Sequence, residues 1–118
     1  MTRARLPNRR MSESRDITVD GRTFYVMVGY DASAKPRELF IRDAKPGSTI
    51  GTLLDDASVV ISLALQSGVS PADLAHSMSR APAAPVMPSD LDRGDDRNPE
   101  SIIGAAIDLL VSLENQDA

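Results

Sequence analysis

A chain of 118 residues, 42% hydrophobic and 25% charged, has the size and make-up of one globular domain with a single core. With no cysteine it has no disulfide, no thiolate zinc site and no thiol redox chemistry, which points to a reducing, cytoplasmic setting. Its apolar stretches, Ile50 to Leu65 and Ile102 to Leu113, are broken by Asp, Ser or Gly and fall short of the roughly 20 residues of a membrane span, so no membrane partner is expected.

Residues 1–15 carry Arg3, Arg5, Arg9, Arg10 and Arg15 against Glu13 alone, a charge of +4 with no apolar run behind it. No secretory signal is expected from this pattern, which reads as a flexible basic arm. The overall charge of −4 leaves −8 on residues 16–118, the expected single domain, which therefore repels nucleic-acid phosphates. Only the arm attracts them, and Arg9 and Arg10 are its candidate contacts to a phosphate or an acidic partner. The plainer reading of the pair is a solvating arm.

Ile17 to Val19, then Asp20-Gly21, then Phe24 to Val28 with β-branched and aromatic residues on alternate positions form a hairpin pattern. Gly accepts positive φ in the turn, although Arg22-Thr23 could lengthen it. A polar loop over Asp31 to Pro36 leads to a third strand, Arg37 to Arg42, completing a three-stranded antiparallel meander. Lys45-Pro-Gly-Ser-Thr49 is a turn in which Ser48 or Thr49 caps a helix that begins near Ile50 and ends at Gly68. In that helix Ile50, Leu54, Ala57, Ile61 and Ala64 follow three- and four-residue spacing, while Leu53, Val60, Leu63 and Leu65 widen the apolar surface, so burial on several sides is expected.

Ser70 and Pro71 open a short helix running to about Ser79. The segment from 80 to 99 holds Pro82, Pro85, Pro88, Pro99 and five acidic or basic residues between Asp90 and Asp96, and is predicted to be a long mobile loop. Asn98 caps a last helix with Pro99 at its first position, and Ile103, Ala106, Ile107, Leu110 and Leu113 line one face, widened by Ile102, Leu109 and Val111. The fold class is α+β: a three-stranded antiparallel meander packed against two main helices and one short helix. Two broadly apolar helices exceed what one sheet face needs, which leaves two arrangements open: a homodimer through Val59, Leu63, Ile102 and Leu109, or a monomer with a thick helical layer.

No catalytic constellation is predicted. His76, the one histidine, has no partner at triad or metal-site spacing and reads as a surface residue. Asp55 and Asp56 suit the positive end of a helix dipole, and adjacent helical positions diverge by about 100°, so they cannot chelate as a pair. Asp90, Asp92, Asp95 and Asp96 miss the calcium-loop spacing, whose closing twelfth position falls on Ser101. No metal and no cofactor are expected. Ser48 and Thr49 ahead of the helix could hold an anion through free N–H groups, but the phosphate-loop pattern is absent and helix capping is the simpler role.

The segments Leu6-Pro-Asn-Arg-Arg10, Phe24-Tyr-Val-Met-Val-Gly29, Glu38-Leu-Phe-Ile41, Ile61-Ser-Leu-Ala-Leu-Gln-Ser-Gly-Val69 and Ser101-Ile-Ile-Gly104, in this order, carry a resemblance. The chain resembles the TSCPD-type domain found near the C-terminus of adenosylcobalamin-dependent (class II) ribonucleotide reductases and in small free-standing bacterial proteins. It departs from that family in lacking the cysteine-bearing motif, the cysteine pair of the reductase tail and the reductase barrel. The resemblance thus implies fold and context, and no catalytic residue of the family maps here.

Three functions follow as expectations. The first is a stand-alone, non-catalytic accessory or regulatory module that assembles with itself or with a protein of nucleotide metabolism. The second is a nucleotide-binding protein using Ser48, Thr49 and the arm. The third is an enzyme, which demands a cleft of perturbed ionisable groups.

Overall fold

A computed structural model describes residues 3, 6, 11–43, 47–80 and 99–115. Three strands, β1 (Ser12–Val19), β2 (Arg22–Tyr30) and β3 (Pro36–Asp43), precede three helices, α1 (Thr49–Gln66), α2 (Pro71–His76) and α3 (Ile102–Asn115). The strands form one antiparallel sheet in the order β1-β2-β3, the meander and helix order expected of the α+β class.

Val19 pairs with Arg22, so the first hairpin closes in two residues, and both Asp20 and Gly21 have positive φ, 51° and 75°. That backbone matches the twist of the flanking strands, which is why Arg22 and Thr23 extend β2 instead of lengthening the turn. β1 starts at Ser12, inside the stretch read as a flexible arm. Ser12 to Arg15 pair with Val26 to Gly29, and an edge strand with one wet face needs no apolar alternation to do so. In the second loop the Asp31 carboxylate accepts from the backbone N–H of Ser33 (2.8 Å) and Lys35 (3.0 Å), holding the chain as it reverses into β3.

Phe24, Val26 and Val28 of β2 and Leu39 and Ile41 of β3 face inward. They are covered by Leu54, Ile61 and Leu65 of α1 and by Ala106, Ile107, Leu110 and Leu113 of α3. α1 runs along β3, α3 touches all three strands, and α2 packs on α3. α3 begins three residues later than the Asn98-Pro99 cap predicts. The hydroxyl of Ser101 accepts from Gly104 N–H at 3.0 Å, and Pro99 instead bridges Arg80. The Arg80 guanidinium in turn grips both carboxylate oxygens of Asp108 at 2.8 and 2.9 Å, fixing the end of α2's extension to α3. Residues 81–98, read from the sequence as a mobile loop, lie outside the described residues.

The burial of α1 differs from expectation in a way that sets up the rest of the molecule. Its inner face contains Ser58, Ser62 and Gln66 beside Leu54, Ile61 and Leu65. Ser58 Oγ accepts from Ile41 N–H (3.0 Å) and donates to Leu54 C=O (2.7 Å). Ser62 Oγ accepts from Leu39 N–H (2.9 Å) and donates to Leu39 C=O (3.1 Å). Gln66 Nε2 donates to Arg37 C=O at 3.2 Å. Four helical residues advance about 6.0 Å and two strand residues about 6.8 Å, so side chains spaced i, i+4, i+8 meet backbone groups spaced j, j−2, j−4. The helix thereby occupies the place of a fourth strand and closes the β3 edge. By length and composition alone α1 is long and apolar enough to cross a membrane, where the sequence reading expects its apolar stretch to fall short, but its polar row is bonded to β3.

Candidate interaction surfaces

Turning its hydroxyl row toward β3 leaves α1 with an apolar outer side. Ile50, Leu53, Val59, Val60 and Leu63 are exposed, Leu53 to 63% and Val60 to 66%. Ile50, Leu53, Val60 and Leu63 fall at three- and seven-residue intervals, a stripe down one side of the helix. Asp56, three residues after Leu53 and four before Val60, lies within this stripe and Asp55 lies off it, both exposed, and α1 carries no basic residue. Of the four residues named from sequence as an interface, Val59 and Leu63 point away from the core, whereas Ile102 and Leu109 pack against it half-buried. The signal that distinguishes the two sides is the Ser58-Ser62-Gln66 row. These three uncharged polar residues at four-residue spacing are buried and bonded to the β3 backbone, whereas Thr52, Asp55 and Asp56 are exposed.

At the start of α1 Ser48 Oγ accepts from Gly51 N–H at 2.9 Å, the capping role expected of it, and donates to Asp43 Oδ2 at 3.3 Å. Thr49 is the exposed first residue of the helix. The Asp43 side chain, 2% exposed, is also ion-paired to Arg22, whose guanidinium lies 5.5 Å from the Phe24 ring centroid. A carboxylate therefore already stands where the helix N-terminus offers its positive end. Arg9 and Arg10 lie outside the described residues.

The second surface is the sheet face opposite the helices. Side chains there form rows across the strands: Ser14, Met27 and Phe40 in one, Asp16, Tyr25 and Arg42 in the next. They surround a shallow hollow of about 370 Å³. Tyr25 is 52% exposed, Met27 is exposed and Phe40 half-buried. In the adjoining row Glu38 folds over Gly29, where an added Cβ would come within 2.6 Å of its Oε1.

At the β1 end Tyr30 donates its hydroxyl to Glu13, which is also paired to Arg15 at 3.1 Å. The Tyr30 hydrogen bond, more than the Arg15 charge, holds the Glu13 carboxyl below the ordinary range against an opposing effect of burial. A smaller hollow of about 270 Å³ between α2 and α3 is lined by His76 and by the Arg80–Asp108 pair, whose hydrogen-bonding groups are turned on each other. His76 is exposed, as its sequence context suggests. Among the described residues no cluster of His, Asp or Glu has metal-site geometry.

The TSCPD domain family matches residues 2–110, nearly the whole chain. This protein belongs to the TSCPD domain family. Two relatives of this TSCPD chain are vitamin B12-dependent ribonucleotide reductases. The one from Rhodopirellula baltica is 40% identical over 67 residues, which is 57% of this chain and 6% of the relative. The one from Agrobacterium fabrum is 34% identical over 67 residues, 57% of this chain and 5% of the relative. The chain thus spans only about a twentieth of the curated relatives it matches. No solved structure matches it.

Of the segments that carry the resemblance, residues 7–10 lie outside the described residues, and the four later segments are packing segments. Phe24 to Gly29 is β2 with its buried Phe-Val-Val alternation, and Glu38 to Ile41 is the stretch of β3 that α1 caps. Ile61 to Val69 ends α1, where Gly68 takes a φ of 99° to stop the helix. Ser101 to Gly104 is the α3 cap, and Gly104 sits so close to Pro99 that a Cβ would lie 3.0 Å from the proline Cβ. In this TSCPD chain the family signature therefore encodes the frame; the exposed stripe and the open sheet face lie around it.

Proposed function

We propose that this TSCPD chain is a non-catalytic accessory module that binds a protein of nucleotide metabolism through the outer stripe of α1. The observation that carries the reading is the exposure of Leu53 and Val60 on a helix whose opposite side is fully engaged. Apolar residues exposed together along one side of a helix on a small domain are the usual mark of a contact that removes them from water. Because Asp56 sits within the stripe without a basic neighbour on α1, two copies of α1 face to face would bring carboxylates together. The fitting partner is instead an apolar ridge or groove rimmed by Lys or Arg.

The relatives are reductases, and the partner class taken from them is a vitamin B12-dependent ribonucleotide reductase. The reductase chemistry itself is not assigned to this chain, which has no cysteine with which to relay a thiol. Binding of the fluorescently labelled chain to such a reductase is expected to saturate. Leu53→Asp combined with Val60→Asp should weaken it by at least about 100-fold, the scale of losing two central apolar contacts. Equal binding by the double variant would rule out the α1 stripe. A nucleotide held at Ser48 and Thr49 is the less supported reading, since the Asp43 carboxylate opposes a phosphate there.

A further inference from the structure

The geometry points to the open face of the sheet as a self-complementary surface on which a second copy of this chain docks, around a two-fold axis running along β2. A two-fold axis lying between two stacked sheets and parallel to the strands keeps each cross-strand row in place and exchanges its two edges. β1 of one copy then lies over β3 of the other, and each β2 lies over its counterpart. The row Asp16, Tyr25, Arg42 places each Asp16 opposite the partner's Arg42 and Tyr25 against Tyr25. The row Ser14, Met27, Phe40 places the smallest side chain opposite the largest and Met27 against Met27. Charge and size are thus both complementary under one operation, which is the condition an isologous interface must meet.

Asp16 and Arg42 sit on opposite edges of the sheet with Tyr25 between them, about 10 Å apart at two strand spacings, and both are exposed. Their side chains bond to nothing else among the described residues, whereas the neighbouring charges Arg22, Asp43, Glu13 and Arg15 are all paired within the fold. An axis perpendicular to the strands would lay Asp16 over Ser14 and Arg42 over Phe40, leaving both charges unmatched. Aligned packing of two sheets turns them by about 30°, which still keeps each row near its counterpart. The footprint, roughly 400 Å² for three strands of eight residues, is smaller than the roughly 800 Å² per partner of a standard interface, so the association is weak and reversible. This surface is separate from the outer stripe of α1, and the two readings fail independently.

Sedimentation velocity on the full chain at concentrations up to about 1 mM, where interfaces of this size become populated, tests the inference. Wild-type protein is expected to pass from monomer to dimer. Asp16→Arg alone and Arg42→Asp alone should each weaken the dimer by about 10-fold for each of the two symmetry-related pairs. The double exchange Asp16→Arg with Arg42→Asp should restore it. Both sites are exposed, and circular dichroism checks that the variants keep the fold. Backbone amide shifts recorded across the same concentration series should move on Ser14, Tyr25, Met27 and Phe40 and stay fixed on α1. A monomer throughout, a double exchange that fails to restore the dimer, or concentration-dependent shifts on α1 in place of the sheet would each overturn the proposal.

Discussion

Single residues carry tasks here that their type alone does not announce. Ser58 and Ser62 look like polar interruptions of an apolar helix, yet each is buried and accepts from a β3 backbone N–H. Ser58→Ala leaves Ile41 N–H buried without an acceptor and should lower the unfolding free energy by about 1–3 kcal/mol, as read from urea titration. A cost below the surface-substitution range would show that the hydroxyl is dispensable. Glu13 gives a pH signature. Its folded pKa lies below the unfolded reference of 4.5, so its contribution is complete above that value and is lost as pH falls through the folded pKa. Glu13→Gln should therefore show a shallower loss of thermal stability on acidification below about pH 4.5 than wild type, and Tyr30→Phe should flatten it in the same direction. At this scale the sequence was readable for caps and turns, where Ser48, Ser70 and Gly21 act as their types suggest. It was not readable for Ser101, because Asn98-Pro99 offers an equally good cap three residues earlier and only the Arg80 bridge to Pro99 decides between them.

Among the elements, α1 shows why periodicity finds a helix more easily than it finds the helix's partner. Leucine, isoleucine and valine surround it almost completely, so the apolar pattern alone predicts burial on several sides. The side that is buried is settled by the match between the four-residue helical step and the two-residue strand step, which lets Ser58, Ser62 and Gln66 finish the β3 edge. The strands were legible by alternation in β2 and β3. β1 extends five residues further than its apolar part because pairing with β2 sustains Ser12 to Asp16 with little side-chain burial. The cap of α1 makes a prediction at this scale: Ser48→Ala removes the acceptor for Gly51 N–H and should cost about 1 kcal/mol of stability by thermal melt. Ser48→Asp puts a second carboxylate beside Asp43 and should recover less than an acidic cap ordinarily does.

For the molecule as a whole, three helices on one side of a three-stranded sheet create two unfilled surfaces with different character. One is the apolar stripe of α1 with Asp56 within it; the other is the open sheet face, with an aromatic centre and opposite charges on its two edges. The four later segments of the family resemblance build the frame among the described residues. The surfaces were only partly legible: Leu63 and Val59, named from sequence as interface candidates, are exposed, while the grouping of Asp16, Tyr25, Phe40 and Arg42 depends on strand register that no local pattern states. Titrating a purified vitamin B12-dependent ribonucleotide reductase with the labelled chain, beside the Leu53→Asp, Val60→Asp variant, tests the central claim most directly. Saturable binding by wild type and its loss in a variant that still melts cooperatively is the predicted result. Absence of binding by wild type, or binding that the variant retains in full, would contradict it.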